Sequence, residues 1–127
     1  MVSISLFIIL KLYNEPLLNV QKSKADIEVL AQNILEDYRK DEVSANKKYV
    51  GNLIQIQGKV SKISVEDGNS VITLKDINEE SSIMCHMSPE ENLKALKLKN
   101  GDQIVLKGIC TGYLMDVIMV RCILINN

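Results

Sequence analysis

The sequence predicts a mainly β domain: a five-stranded Greek-key barrel over residues 52–126, preceded by an amphipathic helix over residues 24–40. Three observations support this fold class. Apolar residues recur with a helical period before residue 40 and with a period of two from Leu53 onwards. The later segments read as three strands, a short helix and two more strands. The chain has 127 residues, 46% of them hydrophobic, which suffices for one domain with its own core.

Two helices are expected ahead of the barrel. In the first, Ser23 and Asp26 form a capping pair. A shorter helix follows from about Asp41, which can cap it, to Tyr49. One face of the first helix is apolar and must pack against the barrel. That face consists of Ile27, Leu30, Ala31, Ile34, Leu35 and Tyr38.

The first three strands follow one another closely. The first begins at Leu53 and alternates Ile with Gln, and Gly58 in its middle marks a bulge or a sharp coil. A turn at Asp67 to Asn69 leads into the strand "VITLKD", which gives a hairpin. The third strand is "SSIMCHM". Tyr49 is expected to pack the helices on the barrel, and Gly51 to permit the turn into the first strand.

A short helix is expected at Ser88–Leu98, between the third and fourth strands. Ser88 is its N-cap, Pro89 occupies its first position, and Glu91 closes a capping box. The last two strands are "QIVLKGICTG" and "VIMVRCILIN", joined at Tyr113 to Asp116. Five strands with a helix after the third is the element order of the oligonucleotide/oligosaccharide-binding (OB) barrel.

The three cysteines predict core positions and no metal site. Cys85, Cys110 and Cys122 have neither metal-knuckle spacing nor the pattern of a small disulfide framework. We expect all three to be buried as small apolar side chains. Pairing of Cys85 with Cys122 stays open, because strand geometry decides it. His86 is the only histidine, so a zinc site is not expected. No other cofactor is expected.

The first 22 residues form an apolar tail and a linker ahead of a domain at residues 23–127. The uncharged run from Val2 to Leu10 is shorter than the roughly 20 residues that span a bilayer. Three interpretations remain: the end of a signal anchor, a membrane-dipping tail, or an element packed on the domain. We favour the first, with membrane attachment through residues 2–12 and an extracytoplasmic domain in the bacterial envelope. A cytoplasmic location is the alternative.

Three segments have the form of a known domain family. They are "DEVSANKKYVGNLIQIQGKVSKI", "LKNGDQIVLKGICTG" and "VRCILIN". These segments closely resemble the tRNA anti-like family of bacterial OB-fold domains, over about residues 23–127. The resemblance implies the OB-fold and an N-terminal membrane anchor or lipoprotein signal. The family's name implies nucleic acid as the ligand.

The charge pattern argues against strong nucleic-acid binding. Residues 1–49 carry seven charges of each sign, and residues 50–127 carry eight positive and nine negative, so no basic stripe stands out. The loop between the first two strands is acidic, with Glu66 and Asp67. Tyr113 is the only aromatic residue after position 50 that could stack on a base.

The candidate ligand-binding surface is the one that OB-folds generally use, on the second and third strands with the flanking loops. The side chains expected to be exposed there are Val71, Thr73, Lys75, Ser82, Met84 and His86. The candidate binding residues are Lys59, Lys62, Thr73, Lys75, Met84, His86 and Tyr113.

The sequence leaves two classes of function. The first, which we favour, is a non-catalytic, envelope-anchored module that binds a protein, peptide or saccharide. The second is a protein that binds single-stranded nucleic acid. Catalysis is not expected, because no nucleophile has a base beside it in a known motif and no Gly-rich phosphate loop is present.

Overall fold

The barrel is built from five strands, with a sixth short strand added at its side. A computed structural model describes residues 20, 22–76 and 80–125 of the chain. The strands are β1 (Ile27–Leu30), β2 (Leu53–Glu66), β3 (Asn69–Leu74), β4 (Ile83–Met87), β5 (Gln103–Leu114) and β6 (Asp116–Ile125). β2 pairs antiparallel with both β3 and β5, β3 pairs antiparallel with β4, and β5 pairs antiparallel with β6. β4 joins β6 in parallel, which closes the barrel. The predicted OB-fold is confirmed.

The described helices lie where the sequence places them, with shorter bounds. The helical elements are α1 (Ala31–Lys40), α2 (Glu42–Tyr49), a 3₁₀ turn (Pro89–Glu91) and α3 (Asn92–Leu96). α1 buries Ile34, Leu35 and Tyr38 in the main core. Asp41 caps α2 as expected, because its carboxylate accepts hydrogen bonds from the backbone N–H groups of the second and third residues after it.

The first seven residues of the predicted amphipathic helix, 24–30, are not helical, because Ile27–Leu30 forms β1 and α1 begins at Ala31. This strand pairs in parallel with Ile54–Gln57 of β2. Asp26 fixes the pairing: its backbone N–H donates to the Leu53 carbonyl at 2.8 Å, and its carboxylate accepts from the Leu53 N–H at 2.9 Å. Asp26 therefore anchors a strand and does not take part in a helix cap. Ile27–Leu30 has only four residues, so its apolar spacing fits both the period of a helix and the period of a strand.

The capping box expected at the start of the third helix is also wrong. The side chain of Ser88 makes no capping hydrogen bond. Glu91 is only 3% exposed, and its carboxylate accepts a hydrogen bond from the backbone N–H of Leu124 at 2.9 Å. Glu91 thus ties the turn before α3 to the last strand, a long-range contact that local sequence does not reveal.

Gly58 allows a close approach between β2 and α1. A Cβ at this position would lie 2.8 Å from the Ala31 Cβ, a distance that real side chains essentially never show. The register shift of β2 falls a little later, between Val60 and Lys62. The strand is therefore irregular near the expected place, but Gly58 itself serves the packing of the helix. Gly51, at φ +85°, makes the predicted turn into β2.

The core fills the barrel, and a second cluster lies outside it. Tyr49 is fully buried between the helices and the barrel, as expected. All three cysteines are fully buried and free, which confirms the prediction for their environment. Val20 packs with Leu53, Ile109 and Ile123 in the second cluster. Among the described residues, no helix has both the length and the apolar character needed to cross a membrane. The predicted attachment segment, residues 2–12, lies outside the described residues.

Candidate binding surface

Three of the candidate binding residues form one row across the barrel. Lys62 of β2 lies opposite Thr73 of β3, which lies opposite Met84 of β4, and Met84 in turn lies beside Ile118 of β6. We call these four residues the sheet row. The sequence neighbours of Thr73, Met84 and Ile118 lie in the core and Lys62 is exposed, so the row lies on the outer side of the sheet. His86, two positions after Met84, is partly exposed next to the row.

Two residues expected on this surface are buried. Val71 is fully buried, because α3 packs on β3 and Asn92 accepts hydrogen bonds from both the N–H and the hydroxyl of Ser70 at 2.9 Å. Ser82 is 8% exposed and donates twice to the Asp116 carboxylate, from its N–H at 2.9 Å and its hydroxyl at 3.0 Å. The accessible part of the surface is therefore narrower than the alternation of the strands predicts.

Lys59 and Lys75 lie apart from the sheet row. Both line a pocket of about 300 Å³ beside the start of α1, together with residues such as Leu30 and Gln103. The backbone N–H of Lys75 donates to the Lys59 carbonyl at 3.2 Å, so the two side chains leave the sheet close together. The predicted site thus divides into two places on the molecule.

Tyr113 is part of a stack of three tyrosines. Its ring lies parallel to that of Tyr38, with 4.9 Å between centroids and 12° between planes. Tyr38 stacks in turn on Tyr49, with 6.0 Å between centroids. The Tyr113 hydroxyl lies 3.1 Å from the Ser81 hydroxyl. One face of the Tyr113 ring is therefore occupied within the protein, which leaves at most the other face for a ligand. We call the three rings the tyrosine stack.

Hydrogen bonds fix the tyrosine stack at the end of the barrel. The Tyr49 hydroxyl donates to the Asp37 carboxylate at 2.6 Å, and the Lys48 ammonium lies 3.4 Å from the same oxygen. The bond from Tyr49, with a smaller contribution from Lys48, lowers the pKa of Asp37 below its ordinary value despite opposition from burial. Burial raises the pKa of Tyr38 and Tyr49 well above the usual range, so both remain protonated donors. The stack is accordingly a structural feature.

A groove that the sequence pattern does not predict lies next to Tyr113. It has a volume of about 570 Å³ and runs between the end of α2 and the hairpin that joins β5 to β6. At the tip of that hairpin, Leu114 and Met115 are each 82% exposed, and Met115 has φ +72°. We call this the hairpin groove. It is lined by Asn46, Lys47, Val50, Thr111, Gly112, Tyr113, Leu114 and Ile118.

The lining of the hairpin groove is mostly apolar and carries one charge. Lys47 is the only charged residue among the lining residues, and none of them is a carboxylate. Ile118 belongs to both the groove and the sheet row, so the two surfaces are continuous. The signal that could have revealed it was the run of Tyr, Leu and Met at a hairpin tip, where polar turn residues are the norm. In the described part of the chain, no group of three or more His, Cys, Asp or Glu residues could hold a metal ion.

A closed five-stranded barrel with a helix between its third and fourth strands defines the chain as an OB-fold protein. The sequence matches the model of the tRNA_anti-like family over residues 1–124, and the chain belongs to that family. The structure is similar to that of a Klebsiella pneumoniae protein described as a "putative nucleic acid-binding lipoprotein", with a TM-score of 0.65 at 13% identity. That match covers 82% of this chain and 100% of the other. At this identity it shows a shared fold.

Two further structural matches are weaker. One is the S. pombe Stn1–Ten1 complex, with a TM-score of 0.47, 16% identity and 59% of each chain covered. The other is an OBody bound to hen egg-white lysozyme, with a TM-score of 0.49, 12% identity, and coverage of 63% of this chain and 87% of that one. Both scores are below 0.5. No curated protein matches the sequence.

Proposed function

We propose that this protein is a non-catalytic OB-fold binding module that recognises a protein or peptide partner in the cell envelope. The observation that carries the proposal is the pair of bulky apolar side chains, Leu114 and Met115, at the tip of the β5–β6 hairpin. The loop between the last two strands borders the ligand surface of OB-folds. Side chains so exposed on a functional loop are typical of a surface that a partner covers.

The apolar surface is continuous, which favours a protein partner. It passes from Leu114 to Ile118 and along the sheet row to Met84, with Val50 at 42% exposure across the groove. Interface cores are depleted in charged residues, and methionine is enriched there. A saccharide needs a denser set of polar groups than these side chains offer, so we rank it below a protein or peptide.

Single-stranded nucleic acid is the second candidate. Lys62 in the sheet row and the Tyr113 ring favour it, as does the family's name. Three features argue against nucleic-acid binding. They are the acidic loop with Glu66 and Asp67, the near balance of charges, and the single ring available for stacking. Base stacking contributes about 1 to 3 kcal/mol per base, so one half-covered ring supplies little affinity.

Attachment to the envelope is the second part of the proposal. The uncharged run within residues 2–12 suits insertion in a membrane, and the Klebsiella neighbour is described as a lipoprotein. An extracytoplasmic module held near the membrane gains in effective concentration toward partners there. A cytoplasmic location is the alternative, and fractionation of cells that express the full chain distinguishes the two.

Site-specific photo-crosslinking tests the binding proposal. A photoreactive amino acid replaces Met115 in one version of the full chain and Leu93, 77% exposed on α3, in a matched control. In cells we expect a discrete adduct from position 115 and none from position 93, and we expect protease but not nuclease to remove it. An adduct that nuclease removes would support the nucleic-acid alternative. Equal labelling from both positions would contradict a specific surface at the hairpin.

A further inference from the structure

A short segment of β5 has a free edge. β5 pairs with β2 over Gln103–Ile109. Bonds from the Gly51 N–H to the Cys110 carbonyl and from the Cys110 N–H to the Asn52 carbonyl, at 2.8 and 3.3 Å, extend this contact slightly. Beyond them, within the described residues, Thr111–Leu114 pairs only with β6. Within the described residues, no strand pairs with its other edge, and α2 lies beside it.

The hairpin groove runs along this open edge. The groove residues across from it come from the end of α2 and the residue after it, just before the chain reaches Gly51. Because Gly51 bonds to the β5 edge, the end of α2 lies on the same side of the strand. The open backbone edge and the apolar side chains thus border one cavity.

We propose that this edge receives one strand of the partner, an extended apolar peptide segment with a carboxylate, laid in the hairpin groove beside Thr111–Leu114. The inference rests on the proposed protein-binding function and specifies how the partner is held. In strand addition, hydrogen bonds between main chains supply affinity, and pockets for alternate side chains supply specificity. Both components are present at this edge.

The dimensions suit a peptide strand. Four residues of β5 span about 13 Å at the usual rise of a strand, enough to pair with a similar length of peptide. The groove volume of about 570 Å³ falls within the range of small ligand sites. At Gly112, with φ +141°, a Cβ would meet no heavy atom within 4 Å. The space beside this glycine is open, so a second backbone can approach it closely.

The side chains around the edge specify the chemistry of the peptide. Val50, Leu114 and Ile118 offer apolar contacts, which suit aliphatic or β-branched residues at alternate positions. Lys47 is exposed and makes no hydrogen bond or ion pair with any residue in the described part of the chain. As the only charged residue in the lining, it is complementary to a carboxylate. That carboxylate comes from an acidic side chain or from the C-terminus of the peptide.

Peptide selection on the full chain tests this inference. Phage-displayed random 12-residue peptides are selected, resynthesised with a fluorophore, and measured by anisotropy. We expect the selected sequences to alternate aliphatic residues and to contain an acidic residue. If amidation of the peptide C-terminus abolishes binding, the terminal carboxylate contacts Lys47. If binding persists after amidation, the acidic side chain of the peptide contacts Lys47. We also expect the Lys47→Glu and Leu114→Asp variants to bind at least about tenfold more weakly, and the control Leu93→Asp to bind normally.

N-methylation identifies strand addition directly. Methylating one peptide amide at a time should weaken binding about tenfold at every second residue and little at the residues between, since alternate N–H groups face the protein edge. Peptide binding that is insensitive to N-methylation, or unchanged in Lys47→Glu, would contradict strand addition. It would leave the proposal of a protein or peptide partner in place. Failure to select any peptide, together with no adduct from position 115, would overturn both proposals.

Discussion

Tyr113 stacks on Tyr38 with their ring centroids 4.9 Å apart, across 75 positions of sequence. The contact joins the end of β5 to α1 beside the hairpin groove. The aromatic side chain that sequence alone identifies as a ligand platform is thus also a structural contact. Variants at Tyr113 must therefore be judged for stability before any effect on binding is interpreted.

The first prediction separates these two roles of Tyr113. Tyr113→Ala should lower the free energy of unfolding by about 2 kcal/mol, because it removes a stacked, half-buried ring. Tyr113→Phe should cost less than about 1 kcal/mol, because it keeps the ring and loses only the bond to Ser81. Urea denaturation measures both. Equal losses in the two variants would show that the hydroxyl, and not the stack, carries the stabilisation.

The second prediction concerns acid stability at Asp37. Since the bond from Tyr49 lowers the pKa of Asp37 in the folded protein, it contributes stability above the ordinary carboxyl pKa of 3.8 and loses it as the pH falls through the lower folded value. Tyr49→Phe should raise the Asp37 pKa in an NMR titration. It should also cost about 1 kcal/mol at neutral pH, a modest effect since the carboxylate is partly exposed. The difference from the native protein should vanish in acid.

Tyr38→Phe is the control for the pH dependence. It removes a hydroxyl that donates to the neutral side chain of Asn46 at 2.8 Å. Its effect on the free energy of unfolding should stay constant over the same pH range. A loss that disappears in acid in both variants would contradict the role assigned to Asp37.

The third prediction concerns the contact between β2 and α1. Gly58→Ala should cost about 1 to 3 kcal/mol, because its Cβ would lie 2.8 Å from the Ala31 Cβ. In the Ala31→Gly background the same change should cost less, since the clashing methyl is gone. A double-mutant cycle measured by urea denaturation gives the coupling energy. Additive losses in the cycle would rule out the steric explanation.

The order of the barrel elements could be predicted from the sequence because it depends on local patterns. The alternation of apolar and polar residues from Leu53, and the turn at Asp67 and Gly68, can each be recognised from a few neighbouring residues. The errors arise where a distant contact overrides a local pattern. The hydrogen bond between Asp26 and Leu53 holds a segment with helical apolar spacing as a strand. The hydrogen bond from Leu124 occupies the Glu91 carboxylate in place of the expected capping box.

The candidate surface was less predictable than the fold for the same reason. The alternation of residues along β3 and β4 correctly puts Thr73 and Met84 on the outer side of the sheet. It does not show that α3 covers Val71. The hairpin groove combines Lys47 and Val50 with residues more than 60 positions later, so only the folded chain brings them together. Whether these residues bind a ligand stays a prediction.

The fourth prediction concerns the thiols. Burial raises the pKa of Cys110 and Cys122, which disfavours the reactive thiolate, and all three cysteines are fully buried. Reaction of the native protein with a thiol reagent should be slow, and all three should react at once on addition of urea. Rapid labelling of Cys85 or Cys122 before unfolding would contradict the inward orientation of β4 and β6.

Oligonucleotide affinity is the measurement that tests the central claim most directly, since it decides between a protein partner and a nucleic acid. A fluorescently labelled single-stranded DNA or RNA is titrated with the full chain across a salt series. The charges of the chain are balanced, the loop between β2 and β3 is acidic, and the only ring available for stacking, that of Tyr113, has one face covered. We therefore predict a Kd weaker than about 10 micromolar at physiological salt, in the range of non-specific contacts. Sub-micromolar binding that is lost in Lys62→Glu, an exposed substitution that should leave the fold intact, would contradict the proposal and make this protein a nucleic-acid binder.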